Sequence, residues 1–326
     1  MTALYIVVAV AVFFGTAISL RFLIPKLRSM KMGQKILDIG PRWHKSKEGT
    51  PTMGGLAFAG AVVLILSAAM IYLQASGKGT EVVPLLLTML LAVGNCVIGI
   101  IDDLTKFRKK QNEGLTAAQK FALQLAMAGA FLALLRLYGD LDTALAIPFT
   151  ELEIEFGWFY YIFALVFITG MINSVNLTDG IDGLAASVTS VVAIFLSVLG
   201  FVFFGIELAV LGAAMLGATL GFLVYNFYPA RVFMGDTGSL FLGGLVAGAA
   251  FMIDNPLLIA LVGIVYICEA LSDIIQVGCY KLTHKRVFKM APIHHHFEKC
   301  GWSEIKIVIV FSVITALCSV LGYFGI

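Results

Sequence analysis

Long uninterrupted apolar runs are the feature that most restricts how this chain can fold. Its 326 residues are 60% hydrophobic and only 13% charged, whereas a soluble domain has about 25% charged residues. Because an α-helix rises about 1.5 Å per residue, roughly 20 apolar residues cross a hydrocarbon core about 30 Å thick. The sequence therefore predicts a single all-α domain over residues 1–326, a polytopic membrane helix bundle. About ten transmembrane helices are predicted, at 3–22, 53–73, 84–101, 119–137, 158–175, 185–204, 207–225, 239–253, 256–280 and 305–324.

The basic residues predict the orientation of this bundle. All of the 22 Lys and Arg residues except Lys78 and Arg136 lie in or beside a loop that follows an odd-numbered span. Because cytoplasmic loops carry an excess of positive charge, these loops are predicted to be cytoplasmic and both termini to lie outside. No positive charge precedes the first apolar run, which favours a retained span over a cleaved signal peptide.

Five aspartates lie in, or at the edge of, these predicted cytoplasmic loops. Asp102 and Asp103 directly follow an apolar run, Asp179 and Asp182 are three residues apart, and Asp236 follows a glycine. Mg²⁺ prefers oxygen ligands, and it is commonly held by one or two carboxylates together with substrate phosphates and water. The pattern predicts a magnesium and phosphate site on the cytoplasmic face. The alternative interpretation is that these residues cap helices or are solvated loop charges.

Basic side chains accompany the aspartates. Lys47, Lys106 and Arg231 lie within or near the aspartate segments, where positive charge would neutralise transferring phosphates. The alternative for these residues is contact with anionic lipid headgroups. The glycine-flanked segments around 54–55, 180–183 and 235–238 match neither a P-loop nor a dinucleotide fingerprint, which argues against an ordinary ATPase site.

Histidines and intramembrane acids complete the candidate groups. His294, His295 and His296 are consecutive, so they point in different directions and do not easily bind one metal ion. Two of them are predicted to bind substrate phosphate or sugar. Glu269 and Asp273 lie one helical turn apart inside the ninth predicted span, where acids are commonly functional. A paired structural role for these two acids is equally compatible with the sequence.

Five motifs together resemble one family. They are Thr-Pro-Thr-Met-Gly-Gly (50–55), Asp-Asp-x-x-Lys (102–106), Asn-Leu-Thr-Asp-Gly-x-Asp-Gly (176–183), Asn-x-x-Pro-Ala-x-Val-Phe-Met-Gly-Asp (226–236) and His-His-His-Phe-Glu (294–298). Their residues and order resemble the bacterial phospho-N-acetylmuramoyl-pentapeptide transferases, or translocase I. This family belongs to the polyprenyl-phosphate N-acetylhexosamine-1-phosphate transferase superfamily. The resemblance extends along nearly the whole chain.

The resemblance implies a reaction in peptidoglycan synthesis. Phospho-N-acetylmuramoyl-pentapeptide would move from UDP-N-acetylmuramoyl-pentapeptide to undecaprenyl phosphate, giving lipid I and UMP. The family implies a Mg²⁺ cofactor, a homodimer, inhibition by uridine-containing nucleosides, and a cell-membrane location with the active site facing the cytoplasm. No nucleic acid is expected among the partners. The alternatives are an N-acetylglucosamine-1-phosphate transferase of the same superfamily and, from another class, a membrane transporter.

The resemblance also implies roles for individual residues. The catalytic group would comprise Asp102, Asp103, Asp236 and His294. Asp236 would bind Mg²⁺, with Asp102 and Asp103 as further candidate ligands. The uracil pocket would comprise Lys47, Gly180, Ile181, Asp182 and Phe233. The other substrate-binding residues would be Thr52, Lys106, Asn176, Asp179, Asn226, Gly235, His295 and His296.

The chemistry of the acceptor bears on the role of the aspartate pair. A phosphate monoester has a second pKa of about 6, so the lipid phosphate is largely dianionic near neutral pH. A strong general base is therefore not required, and the harder task is to bring two anionic phosphates together. The resemblance implies that Asp102 acts as a base for the lipid phosphate. The chemistry instead favours metal binding or orientation for Asp102 and Asp103, and it leaves the base role open.

Overall fold

The computed structural model describes residues 2–30, 47–77, 81–109, 114–139 and 141–326. The basic residues predicted for the first loop between positions 31 and 46, and Lys78, lie outside these ranges. The helices are α1 (Thr2–Ser29), α2 (Gly55–Ala75), α3 (Val83–Lys109), α4 (Ala117–Tyr138), α5 (Phe159–Thr178), α6 (Leu184–Leu199), α7 (Ile206–Asn226), α8 (Gly235–Met252), α9 (Pro256–Val262), α10 (Ile264–Thr283), α11 (Ile293–Lys299) and α12 (Glu304–Tyr323). A π-helical turn, Gly200–Phe204, continues α6. The predicted all-α membrane class is confirmed.

The number of spans differs from the predicted ten. Within the described ranges, eight helices are long and apolar enough to cross a membrane, or nine if α9 and α10 form one bent span. The predicted span 256–280 was wrong as a continuous helix, because α9 and α10 meet at Gly263 with an angle of 82°. The predicted span 239–253 corresponds to α8, which has only 18 residues and carries Asp236 in its first turn.

Helix α8 forms the centre of the bundle. Every residue from Thr237 to Phe251 is buried, so this helix is enclosed by other helices rather than by lipid. The ring of Phe251, near its C-terminal end, packs against Phe131 and Tyr160 with centroid distances of 5.7 and 6.5 Å. These partners lie near the end of α4 and the start of α5. Helix α8 therefore runs from Asp236 to the opposite end of the bundle.

Small residues allow α3 and α8 to pack closely. A Cβ atom built on Gly99 of α3 would collide with the backbone carbonyl of Asp236. Farther along the pair, a Cβ atom on Gly244 would lie 2.6 Å from Cα of Ala92. Small residues permit such backbone approach between membrane helices. The contact at Gly99 brings the next turn of α3 beside the first turn of α8.

A short hairpin lies at the end opposite Asp236. Strands β1 (Ala144–Ala146) and β2 (Glu153–Glu155) pair antiparallel in the loop between α4 and α5. These strands were not predicted from the sequence. The alternation Glu-Leu-Glu-Ile-Glu at 151–155 was the available signal, since a two-residue period is typical of a strand.

Candidate active site

Three carboxylates meet where α3 ends and α8 begins. Asp102 and Asp103 come from α3, and Asp236 comes from the first turn of α8. One carboxylate oxygen from each residue lies within 4.8 Å of the other two. Asp102 and Asp103 are only 2% and 5% exposed. The structure thus brings together the three residues that the sequence analysis named as candidate metal ligands, and we call them the acidic cluster.

Asp103 also fixes the start of α8. Its carboxylate accepts hydrogen bonds from the backbone N–H groups of Asp236 (3.3 Å) and Thr237 (3.0 Å) and from the Thr237 hydroxyl (2.7 Å). The first N–H groups of a helix have no partner within the helix and favour a negative charge. Gly235 precedes them with φ +68°, and a Cβ atom there would lie 2.6 Å from Oδ2 of Asp103. Glycine therefore suits both the backbone angle and the space.

Two lysines neutralise most of the acidic cluster. Nζ of Lys106 lies 2.7 Å from Oδ2 of Asp102, 3.1 Å from Oδ2 of Asp236 and 3.9 Å from Oδ1 of Asp103. Nζ of Lys120, in the first turn of α4, lies 2.8 Å from the same Asp236 oxygen. Lys120 was not among the predicted site residues. When all three carboxylates are ionised, the two ammonium groups leave the described part of the cluster with a net charge of −1, which suits a cation.

Asn176 and Asp179 approach the acidic cluster from the end of α5. Nδ2 of Asn176 donates to Oδ1 of Asp236 (3.1 Å) and to Ser239 (2.7 Å), and its Oδ1 accepts from Lys120 (3.2 Å). Asp179 follows the last residue of α5. Burial, and then the nearby carboxylates of Asp236 and others, raise the pKa of Asp179 well above its usual 3.8. A further acidic group therefore faces the same space.

A second charged group surrounds Lys47. Its Nζ lies 2.7 Å from Oδ1 of Asp182 and 2.6 Å from Oε2 of Glu304, with the Tyr228 ring centroid 6.0 Å away. The other oxygen of Asp182 accepts from the backbone N–H of Ala230 (2.8 Å). Glu304 was not among the predicted site residues. Its position at the start of a helix gave no signal beyond the common preference for acids in a first turn.

Asn226 holds two loops together. Its Oδ1 accepts from the backbone N–H of Gly183 (3.1 Å), and its Nδ2 donates to the carbonyl of Val232 (2.9 Å). Asn226 is only 2% exposed, and Ile181, two residues before Gly183, is also buried. In the structure, the amide of Asn226 is thus occupied by backbone contacts that shape the site.

The 50–55 motif pairs with the segment before α8. The backbone N–H of Phe233 donates to Pro51 (2.8 Å), and the carbonyl of Phe233 accepts from Gly54 (2.8 Å). Phe233 is half-buried. A Cβ atom on Gly235 would lie 2.8 Å from Oγ1 of Thr52, so Thr52 reaches the edge of the acidic cluster.

His294 is buried between α10 and the turn after α5. Its Nδ1 lies 2.9 Å from Oε2 of Glu269, and a Cβ atom on Gly180 would overlap its Nε2. Nε2 is buried and has no hydrogen-bond partner among the described residues. Glu269 of α10 therefore pairs with His294. Asp273, one turn later, is partly exposed.

The other two histidines have different surroundings. Nδ1 of His295 lies 2.6 Å from Oε2 of Glu298. Nδ1 of His296 accepts from the backbone N–H of Lys289 (3.1 Å), and its Nε2 lies 3.7 Å from Sγ of Cys300. The three consecutive histidines therefore point in different directions, as the sequence predicted.

The fold and these charged groups define a multi-pass membrane transferase. Residues 83–254, which carry the acidic cluster, match the family described as glycosyl transferase family 4. Residues 47–58 match the phospho-N-acetylmuramoyl-pentapeptide-transferase signature 1. The segment from α3 to α8 thus matches the general transferase family, and the segment that begins with Lys47 matches a narrower one.

Relatives that cover nearly the whole chain agree with the narrower match. The chain is 47% identical over 313 residues to the phospho-N-acetylmuramoyl-pentapeptide-transferase of Clostridium perfringens (strain 13 / Type A), covering 96% of each protein. It is 46% identical over 305 residues to that of Clostridium botulinum (strain Eklund 17B / Type B), covering 93% of this chain and 90% of the relative. It is 45% identical over 306 residues to that of Clostridium acetobutylicum, covering 93% of each. This chain belongs to the phospho-N-acetylmuramoyl-pentapeptide-transferase family.

Proposed function

We propose that this chain, as one catalytic domain, transfers phospho-N-acetylmuramoyl-pentapeptide from UDP-N-acetylmuramoyl-pentapeptide to undecaprenyl phosphate. The products are lipid I and UMP, in a membrane step of peptidoglycan synthesis. The proposal rests on one observation: the carboxylates of Asp102, Asp103 and Asp236 lie in contact with the ammonium groups of Lys106 and Lys120. This group lies at the end of a membrane-spanning helix, where a lipid phosphate and a water-soluble donor can both arrive.

The residues of the acidic cluster fit Mg²⁺. Carboxylate oxygens are the ligands that this ion prefers. Asp236 is the favoured ligand, because the hydrogen bonds of its carboxylate go to the side chains of Lys106, Lys120 and Asn176, whereas Asp103 is bonded to the backbone at the start of α8. Asp102 and Asp103 are further candidate ligands. Bound Mg²⁺ supplies positive charge for the two donor phosphates and for the leaving UMP.

The transfer exchanges one phosphorus–oxygen bond for another. An oxygen of the lipid phosphate forms a bond to the sugar-linked phosphorus of the donor, and the bond from that phosphorus to the oxygen of the UMP phosphate breaks. The nucleophile is already dianionic near neutral pH, so proton removal by Asp102 is not needed. Lys106 and Lys120 offset the repulsion between the reacting phosphates, and positioning and neutralisation supply most of the catalysis. Direct attack is tested by attempting to trap a phospho-sugar enzyme intermediate. None is expected, and a trapped intermediate would contradict direct attack.

The donor nucleotide is proposed to bind beside this cluster. The uracil pocket comprises Lys47, Gly180, Ile181, Asp182 and Phe233. Thr52, Asn176, Asp179 and Gly235 line the adjoining space, and the remaining substrate contacts come from Lys106 and the three histidines His294, His295 and His296. Asn226 shapes the pocket through its bonds to the backbone of Gly183 and Val232. The ion pair between Lys47 and Asp182, and the backbone bonds of Phe233, support a common pocket for segments that are far apart in sequence.

The active site is proposed to face the cytoplasm. Its residues belong to the loops that carry nearly all of the Lys and Arg residues, and such loops are cytoplasmic under the positive-inside rule. A homodimer and inhibition by uridine-containing nucleosides remain predictions from the family.

A choice of donors tests the proposed reaction. The purified chain would receive undecaprenyl phosphate, Mg²⁺ and either UDP-N-acetylmuramoyl-pentapeptide or UDP-N-acetylglucosamine, and UMP release and lipid product would be measured. Product is expected with UDP-N-acetylmuramoyl-pentapeptide and not with UDP-N-acetylglucosamine. Product with UDP-N-acetylglucosamine alone would favour the other branch of the superfamily. Absence of UMP release with both donors would contradict a transferase of either kind.

A further inference from the structure

Glu304 connects the last helix to the proposed nucleotide pocket. It is the first residue of α12 and is 8% exposed. Its Oε2 lies 2.6 Å from Nζ of Lys47 and accepts a hydrogen bond from the backbone N–H of Asp182 at 3.0 Å. One carboxylate oxygen thus contacts two residues of the pocket. Lys47 is 257 residues from Glu304 along the chain, and Asp182 is 122 residues from it.

The contacts of Glu304 are not those of an ordinary helix start. An acid in a first turn favours the helix through the dipole and needs no distant partner. Ser303 already caps α12, because its hydroxyl accepts from the backbone N–H of Lys306 at 3.3 Å. The carboxylate of Glu304 instead contacts Lys47 and Asp182, in segments that belong to other parts of the fold.

The arrangement restricts Lys47. A lysine side chain is long and has several rotatable bonds, so holding its ammonium group at one position requires more than one partner. Here the ammonium group lies between Asp182 and Glu304, at 2.7 and 2.6 Å. Asp182 is itself held by the backbone N–H of Ala230. With both carboxylates ionised, the group has a net charge of −1, so Glu304 adds a charge beyond the one that neutralises Lys47.

We propose that Glu304 is a positioning residue for the nucleotide end of the donor, acting through Lys47 and the backbone of Asp182. This inference rests on the proposed function, because it concerns how a uridine diphosphate sugar is held. Pre-organised groups lose less conformational freedom when a ligand binds. Loss of Glu304 should therefore weaken donor binding more than it slows the transfer step, which takes place at the acidic cluster.

The first test compares Glu304→Gln with Ser303→Ala. The glutamine keeps the size and one acceptor oxygen but removes the charge, whereas Ser303→Ala weakens the helix cap and leaves Glu304 in place. For Glu304→Gln, the KM for the UDP donor should rise about tenfold, the size expected from a lost charge-assisted hydrogen bond. Its kcat should stay within about twofold of the parent. Ser303→Ala should leave both constants near the parental values.

Direct binding separates this inference from the proposed function. UMP binding to the full-length chain with Mg²⁺, and without lipid phosphate, would be measured by calorimetry. If the parent neither binds UMP nor transfers the phospho-sugar, the proposed function fails. If the parent does both and Glu304→Gln binds UMP as tightly, only the role of Glu304 is overturned. An equal KM increase in Ser303→Ala would overturn it as well, because the effect would then come from the helix start.

A double-variant cycle tests whether Glu304 acts through Lys47. Lys47→Met should weaken donor binding by itself, and adding Glu304→Gln to it should cause little further loss. Energies of residues in contact are not additive, so multiplicative losses would contradict the proposal. If Glu304→Gln does not fold, the KM of Glu304→Asp is measured instead, because this variant keeps the charge and shortens the side chain by one methylene group. An intermediate increase in KM is expected for it, and an unchanged KM would count against the proposal.

Discussion

The carboxylate of Asp103 accepts hydrogen bonds from both the backbone N–H and the hydroxyl of Thr237, at 3.0 and 2.7 Å. It therefore joins the end of α3 to the start of α8, and it fixes the turn that carries Asp236. Asp102, the adjacent residue, contacts Leu115 and Lys106 instead. Two neighbouring aspartates thus have different structural tasks in the same cluster.

Exchange of each aspartate for asparagine should separate those tasks. Asp103→Asn removes a charged cap from α8 and should lower the free energy of unfolding by about 1–2 kcal/mol. Asp102→Asn should lower it less, because among the described residues its carboxylate accepts one backbone bond, from Leu115, and none from the start of α8. Thermal unfolding in detergent, without added metal, measures both effects, and both variants should lose transferase activity. Equal shifts in melting temperature would contradict the assignment of the cap to Asp103.

The pH profile of Asp102→Asn tests the base role. If Asp102 only removed a proton from the lipid phosphate, the variant should regain activity at high pH, where the acceptor is fully ionised. Because the phosphate is already largely dianionic near neutrality, we expect a low and flat rate between about pH 6 and 10. UMP release at saturating donor and lipid measures this profile. Recovery that rises with pH would restore the base role.

Lys120 should contribute to the transfer even though it was not among the site residues predicted from the sequence. Its Nζ lies 2.8 Å from Asp236, so it adds positive charge where the phosphates meet. Lys120→Met should lower kcat roughly 100-fold, the usual effect of removing one fixed charge or donor from a transition state. Lys109→Met is a matched control, since Lys109 is exposed at the end of α3, and it should keep nearly full activity. A similar loss in both variants would point to net charge rather than position.

The sequence predicted those parts of the fold and site that depend on local patterns. Apolar runs predicted most helices, and the aspartates at their ends predicted the acidic cluster. The break at Gly263 was missed, because the residues on both sides remain apolar and only packing determines the 82° angle. The hairpin was missed because each of its strands has only three residues.

Contacts between distant segments were the other part that the sequence could not provide. Glu304 and Lys120 are ordinary first-turn residues when their helices are considered alone. Their importance comes from Lys47 and Asp236, which reach them only after α12 and α4 have packed into the bundle. The pairing of Glu269 with His294 is of the same kind, since it joins α10 to α11.

Metal binding can be measured without catalysis. Mn²⁺ is a paramagnetic substitute for Mg²⁺ and shares its preference for oxygen ligands. The metal-free chain should bind one Mn²⁺ ion, seen by electron paramagnetic resonance, and Mg²⁺ should displace it. Asp236→Ala should abolish this binding, while Glu153→Gln, an exposed residue of the hairpin, should not affect it. Unchanged Mn²⁺ affinity in Asp236→Ala would remove Asp236 from the metal site.

The surroundings of Asp179 predict that the metal-free chain becomes less stable as the pH rises. Its pKa in the fold lies well above the usual 3.8, first because of burial and then because of the nearby carboxylates of Asp236, Asp103 and Asp182. Above about pH 4 the unfolded chain releases this proton while the folded chain keeps it. The folded state then binds more protons, so the stability associated with Asp179 decreases as the pH rises towards its folded pKa.

Asp179→Asn should remove this loss, because an amide does not ionise. In the presence of EDTA, the variant should therefore melt at a higher temperature than the parent at pH 8, and the difference should be smaller at pH 5. Glu153→Gln, at the opposite end of the bundle, provides the control and should follow the parent at both pH values. A variant that melts below the parent at pH 8 would show that the Asp179 carboxylate stabilises the fold, contrary to the cost expected for burying its charge beside other carboxylates.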